Sequence, residues 1–246
     1  AGADLILGDQ AHWVQTHEVF NGKHISYGLG NYIFDQHWSQ NTTEGIIITS
    51  LAKTRQGWAD ICRLLTQGNL KTKKGSCLIT VENVLQYGSE TELILHMPKK
   101  SLVLGVKSEW MELAKKITEF FKNTSLFLSP NYDGADTDYF SQTANVAKEL
   151  NIRLVASACP IMHHGSRRRI VDLLSAVRKK CEVENLGYEA EINAERRMRG
   201  PQELKKIFAK YTNALINSDK IAENCCFSLD ELHHEYPSEI HEGEHP

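Results

Sequence analysis

Two imidazoles, His163 and His164, stand just ahead of three guanidinium groups, Arg167, Arg168 and Arg169. Imidazoles on a loop are ligands for a divalent cation, and a cation so held activates water by lowering its pKa. A guanidinium cluster takes phosphate oxygens in bidentate fashion. Together the two groups point to phosphoester chemistry or to contact with a nucleic-acid backbone. A plainer reading of the same residues stays open: a polar loop or helix N-terminal contact for the imidazoles, and a solvated helix start paired with Asp172 for the arginines.

Such groups need strands and helices to hold them. The run Ile152–Ser157 reads as a strand that delivers the chain to the imidazoles. A helix follows, with Ile170, Leu173, Leu174 and Val177 sharing one face. Upstream, a helix is expected from Gly57 to Gly68, another from Ser108 to Lys122, and a third over 138–150. Short apolar runs at 3–7, 24–30, 45–51, 77–81, 92–97, 101–106 and 123–129 read as strands. Alternation of strands and helices predicts parallel pairing in an α/β fold. After Ser166 the chain reads as almost wholly helical, with Pro201 opening one helix and a last one over 213–224.

At 246 residues, 41% hydrophobic and 24% charged, the chain has the composition of a globular protein of one large or two small domains. No apolar run reaches the roughly 20 residues of a membrane span, so no membrane partner is expected. Six cysteines without a C-x-x-C pair predict reduced thiols and a cytoplasmic location. The net charge of −3 conceals an asymmetry. Arg153–Lys210 holds 13 Lys/Arg against 7 Asp/Glu, and Tyr211–Pro246 holds 1 against 8. A basic block of this kind is compatible with nucleic acid nearby, and equally with solvated helix faces.

Three stretches carry a family likeness: LAKTRQGWADICRLLTQGNLKTKKGS, AKELNIRLVASACPIMHHGSRRRIVDLLSAVR, and INAERRMRGPQEL followed by CFSLDELHHEYPSEIHEGEHP. Residues 50–246 resemble the PHP domain and following link of bacterial DNA polymerase III alpha subunits, in the error-prone, translesion branch. The resemblance implies a distorted, TIM-like barrel whose strand ends hold metal ions in active members. It implies DNA and other lesion-bypass proteins as partners of the parent polymerase. The family's late Asp-x-His pair falls on Cys159 and Ile161. Ile161 binds no metal and Cys159 is a soft ligand, so the resemblance implies a scaffold that has lost hydrolysis. His163 matches the following family His. The polymerase carboxylates would lie beyond Pro246, so no catalytic residue is expected in this chain.

Residues 1–48 read differently. G-A-D-L-I-L-G, a G-x-x-A-H turn, E-V-F-N-G-K and Y-G-L-G-N-Y-I-F-D-Q resemble the C-terminal part of the CapA family of capsule and poly-γ-glutamate synthesis. In the family's metal-binding turn, His12 keeps one imidazole and Gln10 replaces the other.

The expectation is therefore a partial PHP-type barrel followed by a helical segment, with a short β-rich N-terminal piece. Its domains are a CapA-like fragment over 1–49, late PHP over 50–170 and link over 171–246. The change of family near residues 46–52 is expected to mark a join between pieces of two proteins, and the chain to be a fragment. Candidate metal ligands are His12 and His163, and candidate nucleic-acid contacts are Arg167, Arg168 and Arg169. No cofactor is expected in the fragment itself, and a divalent metal is expected in the parent. The alternatives are a metal-dependent phosphoesterase-like protein of the CapA type and a non-enzymatic nucleic-acid-binding module.

Overall fold

The computed structural model describes residues 5–7, 17–20, 23–26, 46–70, 72–73, 77–98 and 106–232. Of the expected strand at 101–106, residues 101–105 lie outside the described residues and Val106 opens a helix instead. The candidate ligand His12 also lies outside them.

The first strands, β1 (Leu5–Leu7), β2 (His17–Phe20) and β3 (Lys23–Ser26), form a small sheet in the order β1-β3-β2. β3 runs parallel to β1 and antiparallel to β2.

The larger unit begins with β4 (Ile47–Ala52) and α1 (Arg55–Leu70). Gly57 lies in the first turn of α1 because the backbone of Glu90 crosses there. A Cβ at Gly57 would stand 2.1 Å from the Glu90 carbonyl oxygen. Gly68, expected to stop this helix, is inside it and buried, with its carbonyl accepting from Leu78 N–H at 2.9 Å. The expected strand at 77–81 does not form. Thr80 and Asn83 close a capping box, so its last residue opens α2 (Val81–Tyr87). An apolar run of five residues carries too little periodicity to outweigh that cap.

Next come β5 (Thr91–His96), α3 (Val106–Phe120), β6 (Thr124–Leu128), α4 (Asp136–Glu149) and β7 (Arg153–Ala156). The sheet order is β4-β5-β6-β7. β5, β6 and β7 are parallel, as strand–helix alternation requires, and β4 is antiparallel to β5. Alternate residues of β5 face opposite ways. Leu93 and Leu95 join the main core with Trp110, Ile117, Leu126 and Phe140, while Ile94 packs with Val155 and Ile221 on the other side.

The chain then continues as α5 (Arg168–Lys179), two 3-10 turns at Val183–Asn185 and Gly187–Glu189, an extended stretch to Gly200, α6 (Pro201–Ile207) and α7 (Thr212–Asn224). The expectation of near-continuous helix after Ser166 is corrected over 180–200. There the backbone is irregular, its polar groups shared between short backbone contacts and side chains such as Asp172, which accepts from Glu191 N–H, and Arg168, which donates to Glu191 C=O. Pro201 opens α6, as its fixed φ and missing N–H favour. Phe208 at the end of α6 is fully buried and stacks on Phe140 at 5.5 Å.

The α/β class is borne out, and the described sheet is open. Helix α7 lies along β7 and takes up its edge groups. Ser218 Oγ accepts from Ala156 N–H at 2.9 Å and donates to Ala156 C=O at 2.9 Å, and Asn217 Nδ2 donates to Leu154 C=O at 2.9 Å. An edge satisfied by side chains in this way has fewer groups left to template a further strand. Among the described residues, no helix is long and apolar enough to cross a membrane.

Candidate functional site

In open α/β sheets, ligands bind beyond the carboxyl ends of the parallel strands. Two such loops lie wholly among the described residues, 129–135 after β6 and 157–164 after β7. Each contains a non-glycine residue with positive φ, Tyr132 at 57° and Cys159 at 46°. This region of backbone space is uncommon for side-chain-bearing residues and is held only by surrounding contacts.

Those contacts are specific. Asp136, in the first turn of α4, accepts from the N–H groups of Asn131 (2.6 Å) and Tyr132 (3.1 Å), which folds the first loop back on the helix. Ser157 Oγ accepts from Cys159 N–H at 3.1 Å. Ile161 and Met162 N–H both donate to the Arg196 carbonyl at 2.9 and 3.2 Å, and Met198 N–H donates to Met162 C=O at 2.9 Å. The stretch 193–199 therefore runs across the strand ends.

Arg199 is the centre of that contact. Its side chain is 7% exposed and its guanidinium lies 5.0 Å from the Tyr132 ring centroid. It donates to Tyr132 Oη at 3.1 Å and pairs with Glu195 at 2.5 Å and Glu203 at 3.4 Å. Burial pushes the Tyr132 phenol up, against the opposing pull of Arg199. Asn193 Nδ2 donates to Tyr132 C=O at 2.7 Å. Arg197 pairs with Glu203 at 2.6 Å and Arg196 with Glu191 at 3.3 Å. The strand ends are thus crossed by a protein segment whose three arginines are paired with glutamates.

Of the expected site residues, His163 is exposed, its ring 6.4 Å from that of His164. His164 caps the 3-10 turn Gly165–Arg167, its Nδ1 accepting from Ser166 N–H at 3.3 Å. Among the described residues, no three His, Cys, Asp or Glu side chains gather where they would hold a metal ion. Arg168 turns inward: its Nη2 donates to Glu191 C=O at 2.5 Å, and its buried Nε lies 3.5 Å from Asp172 Oδ2, an ion-pair contact without hydrogen-bond geometry. Asp172 in turn accepts from Glu191 N–H at 3.0 Å. Arg167 and Arg169 are exposed and pair with no described residue.

Sequence reasoning missed Tyr132 and Asp136, for which N-Y-D-G-A-D offered only a turn signal. It also missed Glu92, buried on β5 and paired with Arg153 at 2.7 Å. Arg153 also donates to Ser125 Oγ at 2.9 Å, and Asn224 of α7 donates to Glu92 at 3.2 Å. A carboxylate inside an apolar parallel strand is a legible signal, because it must be paired.

Comparison with known proteins divides the chain. Residues 1–36 match the family model described as bacterial capsule synthesis protein PGA_cap. The error-prone DNA polymerase of Sinorhizobium medicae is 35% identical over 200 residues, 81% of this chain and 18% of that protein. Most of the chain is similar to error-prone DNA polymerases. Error-prone DNA polymerase 1 of Rhizobium meliloti is 32% identical over 201 residues, again 81% and 18%. The Mesorhizobium japonicum enzyme is 32% identical over 194 residues. The chain spans about a fifth of the length of these polymerases. Both resemblances read from the sequence are borne out.

Proposed function

We propose that residues 50–246 are the late PHP region and link of an error-prone DNA polymerase, acting as a non-catalytic scaffold. The divisions proposed are 1–49, 50–170 and 171–246, with the open sheet as an arc of a PHP-type barrel. The parent would add nucleotides to a template-paired primer in the cytoplasm, with DNA as its partner and a divalent metal at its polymerase site. The observation that supports a scaffold is Arg199 buried over Tyr132 at the strand ends. There a hydrolytic member of the family would need open metal ligands, and the matched positions carry Cys159 and Ile161.

The test is a chimera in which residues 50–246 replace the matched segment of the Sinorhizobium medicae polymerase. Primer extension and bypass of a template lesion should persist, with no metal-dependent 3′-end hydrolysis by the isolated chain. A soluble chimera without extension, or hydrolysis abolished by His163→Ala, would overturn the proposal.

A second reading applies to residues 1–48. The match of residues 1–36 to the PGA_cap family supports descent from a capsule-synthesis protein with phosphoesterase-like architecture. Metal content and phosphodiesterase turnover, each sensitive to His12→Ala, would be its signature, and lack of both would remove it.

A further inference from the structure

Helix α5 leaves its apolar face in solvent. Ile170, Leu173, Leu174 and Val177 are 45, 51, 58 and 67% exposed. Their i, i+3, i+4, i+7 spacing aligns them in a stripe roughly 100° wide. The buried side of the helix is the other one, where Ala176 packs and Arg168 and Asp172 hold the chain near Glu191. Four large aliphatic side chains in one row differ from scattered exposed apolar residues, which need no explanation.

The stripe is framed by positive charge. Arg169 flanks one side and Arg178 the other, while Arg167 and Lys180 stand at its two ends. All four are exposed, and none pairs with a described residue. The only acid within α5 is Asp172, already engaged with Arg168 and with Glu191 N–H. An apolar seam with unpaired charges of one sign beside it is half of a helix–helix interface, in which flanking charges choose the partner.

We infer that the exposed face of α5 is a docking surface for an acidic-flanked amphipathic helix of a partner protein. The helix is about 18 Å long, which accommodates a partner of about three turns. A second copy of this chain is disfavoured, because its α5 would set four cations against four cations. A nucleic-acid backbone would answer the charges but leave the four aliphatic side chains in water. An acidic amphipathic helix answers both at once. This surface lies outside the scaffold reading, which the chimera tests separately.

The experiment uses the full 246-residue chain and two synthetic three-turn peptides sharing one leucine stripe, one flanked by glutamates and the other by lysines. Fluorescence anisotropy should show the glutamate peptide binding about tenfold or more tightly than the lysine peptide. The double variant L173A/L174A should weaken that binding about tenfold. R169E/R178E should invert the preference between the peptides. All four substituted side chains are exposed, and thermal melts of both variants should match the parent chain. Equal affinity for the two peptides, or none for either, would overturn the inference. So would self-association abolished by L173A/L174A, or duplex-DNA binding that needs Arg167 and Arg169 while L173A/L174A leaves both it and peptide binding unchanged.

Discussion

The arginines of the link and those of α5 belong to one basic block and meet opposite fates. Arg196, Arg197 and Arg199 are each paired with a glutamate, and Arg199 is buried over an aromatic ring. Arg167, Arg169 and Arg178 are exposed and pair with no described residue. Net charge therefore says little about where this protein meets a partner. Within one excess of positive charge, the paired members hold the chain together and the unpaired ones remain available. Arg168 shows how fine the division is, since it sits between two free arginines and is turned inward.

The contrast can be broken most severely at Arg153. Arg153→Met should leave the buried carboxylate of Glu92 without its cation and cost about 4 kcal/mol in urea unfolding. Adding Glu92→Gln should recover much of that loss. A single variant as stable as the parent chain would show that Glu92 needs no partner.

The same division separates imidazoles. His96 is largely buried, its Nε2 within 2.8 Å of Thr49 Oγ1, and burial holds its pKa down at about 4. His163 and His164 are exposed. Below its ordinary pKa of about 6.5 the unfolded chain takes up a proton at His96 that the folded chain refuses until about pH 4. Stability from this group is full above pH 6.5 and is lost as the pH falls from 6.5 to 4, by about 3 kcal/mol. His96→Gln should flatten that part of the stability–pH curve, whereas His163→Ala should leave it unchanged.

A smaller loss, about 2 kcal/mol, is expected for Arg199→Ala, which removes the cation over Tyr132 and frees Glu195. Arg199→Lys should recover only part of it, because an ammonium cannot make the forked contacts. Least affected should be Arg167→Ala/Arg169→Ala, with unfolding shifted by less than about 0.5 kcal/mol. A larger shift would place these two among the structural arginines and erase the comparison.

Much of the fold was legible. Helices α1, α3, α4 and α7 carry long periodic apolar faces, and β5, β6 and β7 are apolar runs between turn signals. The run at 77–81 misled because its β-branched residues resemble a strand, whereas Thr80 and Asn83 form a helix cap. The stretch 180–200 misled because its charges suit a helix face in isolation. In the fold those charges reach across the chain, Lys179 to Glu189 and Arg196 to Glu191. The site was less legible than the fold. Tyr132 and Arg199 are 67 residues apart, and no local pattern joins them.

By itself the sequence determined which residues share a face. The row Ile170, Leu173, Leu174 and Val177 follows from helical geometry alone, and the residue words themselves carry the resemblance of most of the chain to error-prone polymerases. Only the tertiary structure decided what covers a face and which charge is paired. Periodicity is set by neighbours three and four residues away. Covering Ala156 with Ser218, burying Arg199 on Tyr132 and leaving the α5 row in solvent depend on groups brought together across tens of residues by packing.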